Sequence, residues 1–141
     1  MFAVPENTIA QAASPTAAHP QRVARAVALD RAKWAGLLRY DPVERYTALI
    51  ERTPEYEVWL MSWLPGQSTD LHDHGDATGA FTVVSGVLTE RVLRSGLVHD
   101  LRAGQSRVFA PGYAHQVVNY SIDPAVSIHV YETAREMRSF T

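Results

Sequence analysis

The chain has 141 residues, 46% of them hydrophobic and 20% charged, with a formal net charge of -2 at pH 7. This is one domain's worth of polypeptide with ordinary globular composition, which excludes a disordered chain, and 13 basic against 15 acidic residues leave no basic footprint for nucleic acid or an anionic membrane surface. The absence of cysteine excludes disulfide scaffolds, thiolate zinc sites and cysteine nucleophiles, so a metal can sit only on His, Asp or Glu.

Residues 1–20 are rich in Ala, Pro, Ser and Thr and have little to bury, so a loose arm over the surface is expected. They carry no early positive charge and no unbroken apolar run, which argues against a secretory signal, and a cytoplasmic protein is expected. Nowhere is there an apolar run of about 18 residues that would span a membrane. From Gln21 to Tyr40, Val23, Val27, Trp34 and Leu38 recur at helical spacing, predicting an N-terminal helix over 21–42 that packs on the remainder and is stopped by Asp41-Pro42.

Residues 43–141 read as a run of strands. Arg45 to Glu51, Tyr56 to Leu64, Ala80 to Ser85, Val87 to Leu93, Ser106 to Ala110, Gln116 to Tyr120 and Ala125 to Tyr131 are rich in β-branched and aromatic residues. Turn pairs such as Pro65-Gly66, Ser85-Gly86, Ala103-Gly104 and Pro111-Gly112 separate them. The fold class expected is therefore all-β, a sandwich or barrel with one leading helical segment.

Three of the six histidines stand in turn-rich surroundings: His72 and His74 in Leu71-His72-Asp73-His74-Gly75, and His115 after Pro111-Gly112. In extended chain, residues two apart share a face, so His72 and His74 present their imidazoles together. A third ligand about 40 residues on must come from another strand folded against the first, which a barrel supplies. Three neutral imidazoles would leave open positions on a metal for substrate.

Gly66, His72, His74, Gly79 and Gly86, followed by Gly104, Ala110, Gly112, His115 and Asn119, have the spacing of the two cupin motifs. Gly79 stands where most cupins place a glutamate ligand, and Ala110 where the second motif usually has proline. Loss of the glutamate leaves an uncharged three-nitrogen set that favours an anionic substrate ligand such as a thiolate. With HDHGDATGAFTVVSG over 72–86 and PAVSIHVY over 124–131, the sequence resembles the cysteine dioxygenase type I family, the cupin thiol dioxygenases, across most of residues 43–131.

That resemblance implies a cupin, a double-stranded β-helix or jelly-roll barrel, and an oxidoreductase that adds both atoms of O2 to a small thiol. It implies Fe(II) on His72, His74 and His115. It also implies a Ser127, His129 and Tyr131 relay in which the tyrosine hydroxyl reaches substrate or dioxygen. Independently, the spacing puts all three on one strand face, where a self-satisfied buried polar ladder is the competing reading; Ala125, Val126, Ile128 and Val130 are expected to pack around them. Gly79 also matches the position from which animal members cross-link a cysteine to the tyrosine, so no cross-link forms here. The family's substrate-carboxylate arginine points to Arg45, in Glu44-Arg45-Tyr46, with Arg52 the poorer choice.

The partners implied are a small thiol and O2, with neither nucleic acid nor membrane. L-cysteine is the expected thiol and 3-mercaptopropionate the alternative. A metal cupin of another activity and a small-molecule-binding cupin are the further readings. His19 and His99 are expected to face solvent. Trp59 and Trp63, four apart on one strand, are expected to line the core or the pocket wall, and Asp70, Asp73 and Asp76 to make loop hydrogen bonds or support the ligands from behind.

Overall fold

The computed structural model describes residues 19–75, 77–132 and 138–139. The expected arm falls outside them as far as residue 18, as does Asp76.

The described chain begins with helix α1 (Pro20–Leu29), whose start is set by His19: its Nδ1 accepts from the Gln21 backbone N–H at 3.1 Å, and Pro20 needs no donor at the first helical position. His19 is thus a half-buried cap rather than a solvent-facing side chain, and burial lowers its pKa, keeping the accepting nitrogen unprotonated.

The helix is also shorter than its apolar spacing predicts. It ends at Leu29, and single 3-10 turns at Arg31–Lys33 and Ala35–Leu37 follow. Asp30 turns its N–H back onto the Ala26 and Val27 carbonyls, and the Trp34 indole donates to Val27 O at 3.1 Å. Trp34 therefore reaches the apolar stripe by capping the helix end, not by continuing the helix.

Among the described residues ten strands follow: β1 (Tyr46–Arg52), β2 (Tyr56–Trp63), β3 (His72–Asp73), β4 (Gly79–Ser85), β5 (Val87–Val92), β6 (Val98–Arg102), β7 (Ser106–Phe109), β8 (His115–Val118), β9 (Ala125–Glu132) and β10 (Arg138–Ser139). The seven expected runs are present within a residue or two at each end, and β3, β6 and β10 are additional. His99, on β6, is half-buried rather than turned to solvent.

They form two antiparallel five-stranded sheets, ordered β1-β2-β9-β4-β7 and β10-β3-β8-β5-β6. Met61, Trp63, Phe81, Val83, Phe109 and Tyr131 of the first meet Leu88, Leu101 and Val117 of the second in a shared core. The first sheet is covered on its other face too, where Val58, Leu60, Val126, Ile128 and Val130 pack under Val23, Ala24, Val27 and Trp34. Burial on both faces explains why every residue of β9 from Ala125 to Tyr131 is buried. Val126, Ile128 and Val130 face the helix, whereas Ala125 lies in the inter-sheet core on the face that carries Ser127, His129 and Tyr131.

Gly86 makes possible the tight turn by which the chain passes from β4 in the first sheet to β5 in the second. Its φ is +79°, and a Cβ there would stand 2.5 Å from the Pro124 carbonyl oxygen and 2.8 Å from Ala125 Cα. Only glycine lets this turn approach the start of β9 so closely.

Candidate metal centre and substrate cavity

Strand β3 is only two residues long, and its pairing with β8 sets His72 directly opposite His115. His74 follows on the same side, and one potential ligand atom from each of the three histidines lies within 4.8 Å of the others. All three side chains are buried. The His74 ring packs against both Phe109, at 4.7 Å and 20°, and Tyr131, at 4.6 Å and 26°.

Hydrogen bonds on the outer nitrogens fix two of the rings. His72 Nδ1 lies 2.6 Å from the Asp70 carbonyl oxygen, and His115 Nδ1 lies 2.8 Å from Glu90 Oε2. Each partner is an acceptor, so each Nδ1 carries the proton and each Nε2 keeps its lone pair. Burial, and then the neighbouring His115, lower the His72 pKa to about 4, so the imidazole is neutral near pH 7. Three converging imidazole nitrogens fit a divalent first-row metal ion with positions left for other ligands.

Gly79 accounts for the lack of a fourth protein ligand. It pairs with Phe109 on β7 and Tyr131 on β9. A Cβ there would overlap the Phe109 ring and stand 3.0 Å from the Val130 carbonyl oxygen. Phe109 takes up the room that a carboxylate side chain would need.

On β9 the polar residues form a continuous chain. Trp63 Nε1 donates to Ser127 Oγ at 2.9 Å, Ser127 Oγ lies 2.7 Å from His129 Nε2, and Tyr131 Oη lies 3.3 Å from His129 Nδ1. His129 stacks on Phe81 at 4.9 Å and 10°. Complete burial, followed by the nearby Arg45 charge, holds its pKa well below the usual histidine range. The contribution of Trp63 is new: an aromatic four residues from Trp59 signals packing, and nothing local reveals that its N–H meets a serine 64 residues later.

A cavity of about 320 Å³ opens beside the histidines, with His72, His115, His129 and Tyr131 in its wall. Arg45, Trp59, Met61 and Asp70 are also in the lining, and Arg45 is the one arginine or lysine among its described residues. Arg45 Nη1 lies 3.2 Å from Met61 Sδ, and the guanidinium sits over the Trp63 ring at 5.4 Å. Arg52, whose side chain is largely exposed, is absent from this lining and pairs with Glu57 at 3.0 Å. Asp73 Oδ1 accepts from the Gly75 N–H at 2.9 Å, the type of loop contact expected of it.

One cluster escaped the sequence reading. Glu90 on β5 is fully buried and takes Arg107 Nε on Oε1 at 2.7 Å, while its Oε2 receives His115 and, at 3.3 Å, the Tyr113 hydroxyl. Arg107 Nη2 in turn donates to Tyr113 Oη at 2.9 Å. Burial by itself raises the Glu90 pKa, but the His115 contact and the Arg107 charge outweigh it and hold the carboxyl below its usual range. The Tyr113 phenol is pushed up to about 12, first by burial and then by Glu90. A signal existed: Leu88, Glu90 and Val92 alternate onto one strand face, as do Arg107 and Phe109 on another, so opposite charges at inward positions announce an internal pair.

Two antiparallel sheets enclosing a three-histidine site define a cupin with a candidate metal centre. The chain matches the cysteine dioxygenase type I family over residues 7–139 and belongs to it; this membership supports a thiol dioxygenase-like function. Among solved structures it is similar to an uncharacterized conserved protein with a double-stranded β-helix domain from Klebsiella pneumoniae subsp. pneumoniae MGH 78578. That similarity has TM-score 0.70 and 22% identity, covering 76% of this chain and 93% of that one. It is also similar to the protein TT1209 from Thermus thermophilus, with TM-score 0.64 and 24% identity, covering 70% of this chain and 91% of that one. A sugar phosphate isomerase from a cupin superfamily, from Silicibacter pomeroyi DSS-3, shares the fold at TM-score 0.61 and 21% identity over 68% of this chain and 65% of that one.

Proposed function

We propose that the protein is an iron-dependent thiol dioxygenase that converts a small carboxylate-bearing thiol, L-cysteine by preference, and O2 into the sulfinic acid. Both oxygen atoms end on sulfur, so the reaction needs no external reductant. The observation that carries the reading is a cluster of three buried histidines, two of them in the wall of a cavity that also holds the end of a buried hydrogen-bonded relay and, among its described residues, a single arginine.

In this reading His72, His74 and His115 would hold Fe(II), which would supply a binding place for a thiolate and O2 and a path for electrons from sulfur to oxygen. The chain's own contribution is positioning. Arg45 offers a planar pair of N–H groups to the substrate carboxylate, and its seat over Trp63 limits its freedom.

The relay sets one hydroxyl proton. The Trp63 indole can only donate, so Ser127 Oγ accepts from it, and in this reading Ser127 gives its own proton to His129 Nε2. Neutral His129 then carries its proton on Nδ1 and donates it to Tyr131 Oη. The Tyr131 hydroxyl proton is thereby directed away from His129 and offered to the substrate.

The test is anaerobic addition of L-cysteine or 3-mercaptopropionate to the ferrous protein, followed by oxygen and assay of the sulfinates, with iron-free protein alongside. Rapid cysteine sulfinate formation that depends on iron is the expected result. Full activity of iron-free protein overturns the iron assignment, and background turnover of cysteine beside rapid oxidation of 3-mercaptopropionate overturns the substrate.

A further inference from the structure

We propose that Glu90 is a positioning residue for the metal centre, its buried carboxylate fixing the tautomer and direction of His115 and making it a stronger donor than His72. The proposal rests on the reading of His72, His74 and His115 as metal ligands, and it concerns a residue outside that set.

The geometry comes from strand register. On the β5–β8 pair, Val92 faces His115 and Glu90 faces Val117, which makes Glu90 the diagonal neighbour of His115 on the same face. From there Oε2 reaches His115 Nδ1 at 2.8 Å. The carboxylate is 0% exposed, and an isolated charge at that depth is prohibitive; Arg107 on Oε1 and the Tyr113 hydroxyl on Oε2 make it tolerable. Thus restrained, Glu90 can only accept, and the one proton of a neutral His115 is confined to Nδ1.

The two paired ligands therefore differ in kind. His72 leans on a neutral backbone carbonyl, whereas His115 leans on a carboxylate. A charged acceptor behind an imidazole increases the electron density on its other nitrogen. A site with no carboxylate among its direct ligands thus receives anionic character from one residue further out.

Metal-free wild type, Glu90→Gln, the double variant Glu90→Met with Arg107→Met, and His72→Ala are titrated with Co(II) against a competing chelator. Thermal melting of each metal-free protein is recorded alongside. Glu90→Gln removes the charge and keeps one acceptor oxygen of the two, so it no longer accepts from both Arg107 and His115, and the double variant replaces the ion pair by apolar bulk of similar size, which proteins often tolerate. Both are expected to weaken Co(II) binding about 10- to 100-fold without a matching loss of melting temperature. A purely structural Glu90 would move the melting temperature and leave affinity alone, which overturns the proposal.

Histidine 15N shifts of metal-free wild type give a readout that needs no variant: His115 protonated on Nδ1 is expected, and protonation on Nε2 overturns the proposal. His72→Ala separates the two ideas. If it binds Co(II) as wild type does, the metal-site reading fails; if it loses binding while Glu90→Gln does not, only the role of Glu90 fails.

Discussion

The ring of Phe109 lies against the bare Cα of Gly79, its partner in the β4–β7 ladder, and fills the space that any side chain at 79 would need. Gly79→Ala is therefore expected to destabilise the protein by about 1–3 kcal/mol. Adding Phe109→Leu should recover part of that loss. Denaturant unfolding of the single and double variants measures both, and a Gly79→Ala protein as stable as wild type would contradict the packing.

Arg45 provides a test of substrate recognition. Arg45→Met should raise KM for L-cysteine about 10- to 100-fold, the worth of a charge-assisted contact, while kcat changes less. Cysteamine, the same thiol without the carboxylate, should be handled equally by both proteins. Arg45→Lys should resemble Arg45→Met, because one ammonium cannot reproduce the planar pair of donors. Equal KM values for cysteine across the three proteins would remove Arg45 from recognition.

The relay on β9 predicts that stability and turnover separate. Tyr131→Phe keeps the stack on His74 and should leave Co(II) affinity and melting temperature near wild type, while kcat falls about 10- to 100-fold. Ser127→Ala strands the Trp63 N–H and the His129 Nε2 in the interior and should cost about 1–3 kcal/mol of stability as well as turnover. Steady-state kinetics and melting of the two variants tell these outcomes apart.

Burial keeps His72 and His129 neutral, with the His72 pKa at about 4 and that of His129 well below the ordinary histidine range. In the unfolded chain both bind a proton more readily, near the ordinary value of about 6.5. Stability of the metal-free protein should therefore be fully present above about pH 6.5 and decline as pH falls toward 4, by roughly 3 kcal/mol from His72. The window begins above the range in which Glu90, whose carboxyl pKa is lowered, would add its own acid loss. Urea unfolding of metal-free protein between about pH 7 and pH 4.5 tests the decline, and a flat profile would contradict it.

Much of the architecture was legible because strands announce themselves by residue type and turn chemistry. The seven runs survive with small shifts, and the alternation in PAVSIHVY separates Ser127, His129 and Tyr131 from Val126, Ile128 and Val130. The grouping of His72, His74 and His115 was legible from spacing, since extended chain brings residues two apart to one side. Less visible was anything set by a distant partner. The helix end depends on Trp34 reaching the Val27 carbonyl, and strand β3 exists because distant segments flank it, His115 on β8 on one side and β10 on the other. Strand alternation puts Glu90 and Arg107 at inward positions, but the contact of Glu90 with His115 emerges only when the strands close around them. His19 was misread because a histidine seldom caps a helix.

Strand β9 bears oily side chains toward α1 and the relay toward the cavity, with no solvent-facing position until Glu132. A slip of one residue against β2 or β4 would drive Val126, Ile128 and Val130 into the reaction chamber and press a serine, a histidine and a tyrosine against the helix. Misalignment here would cost folding and chemistry together, so any chain that folds stably has already aligned the relay.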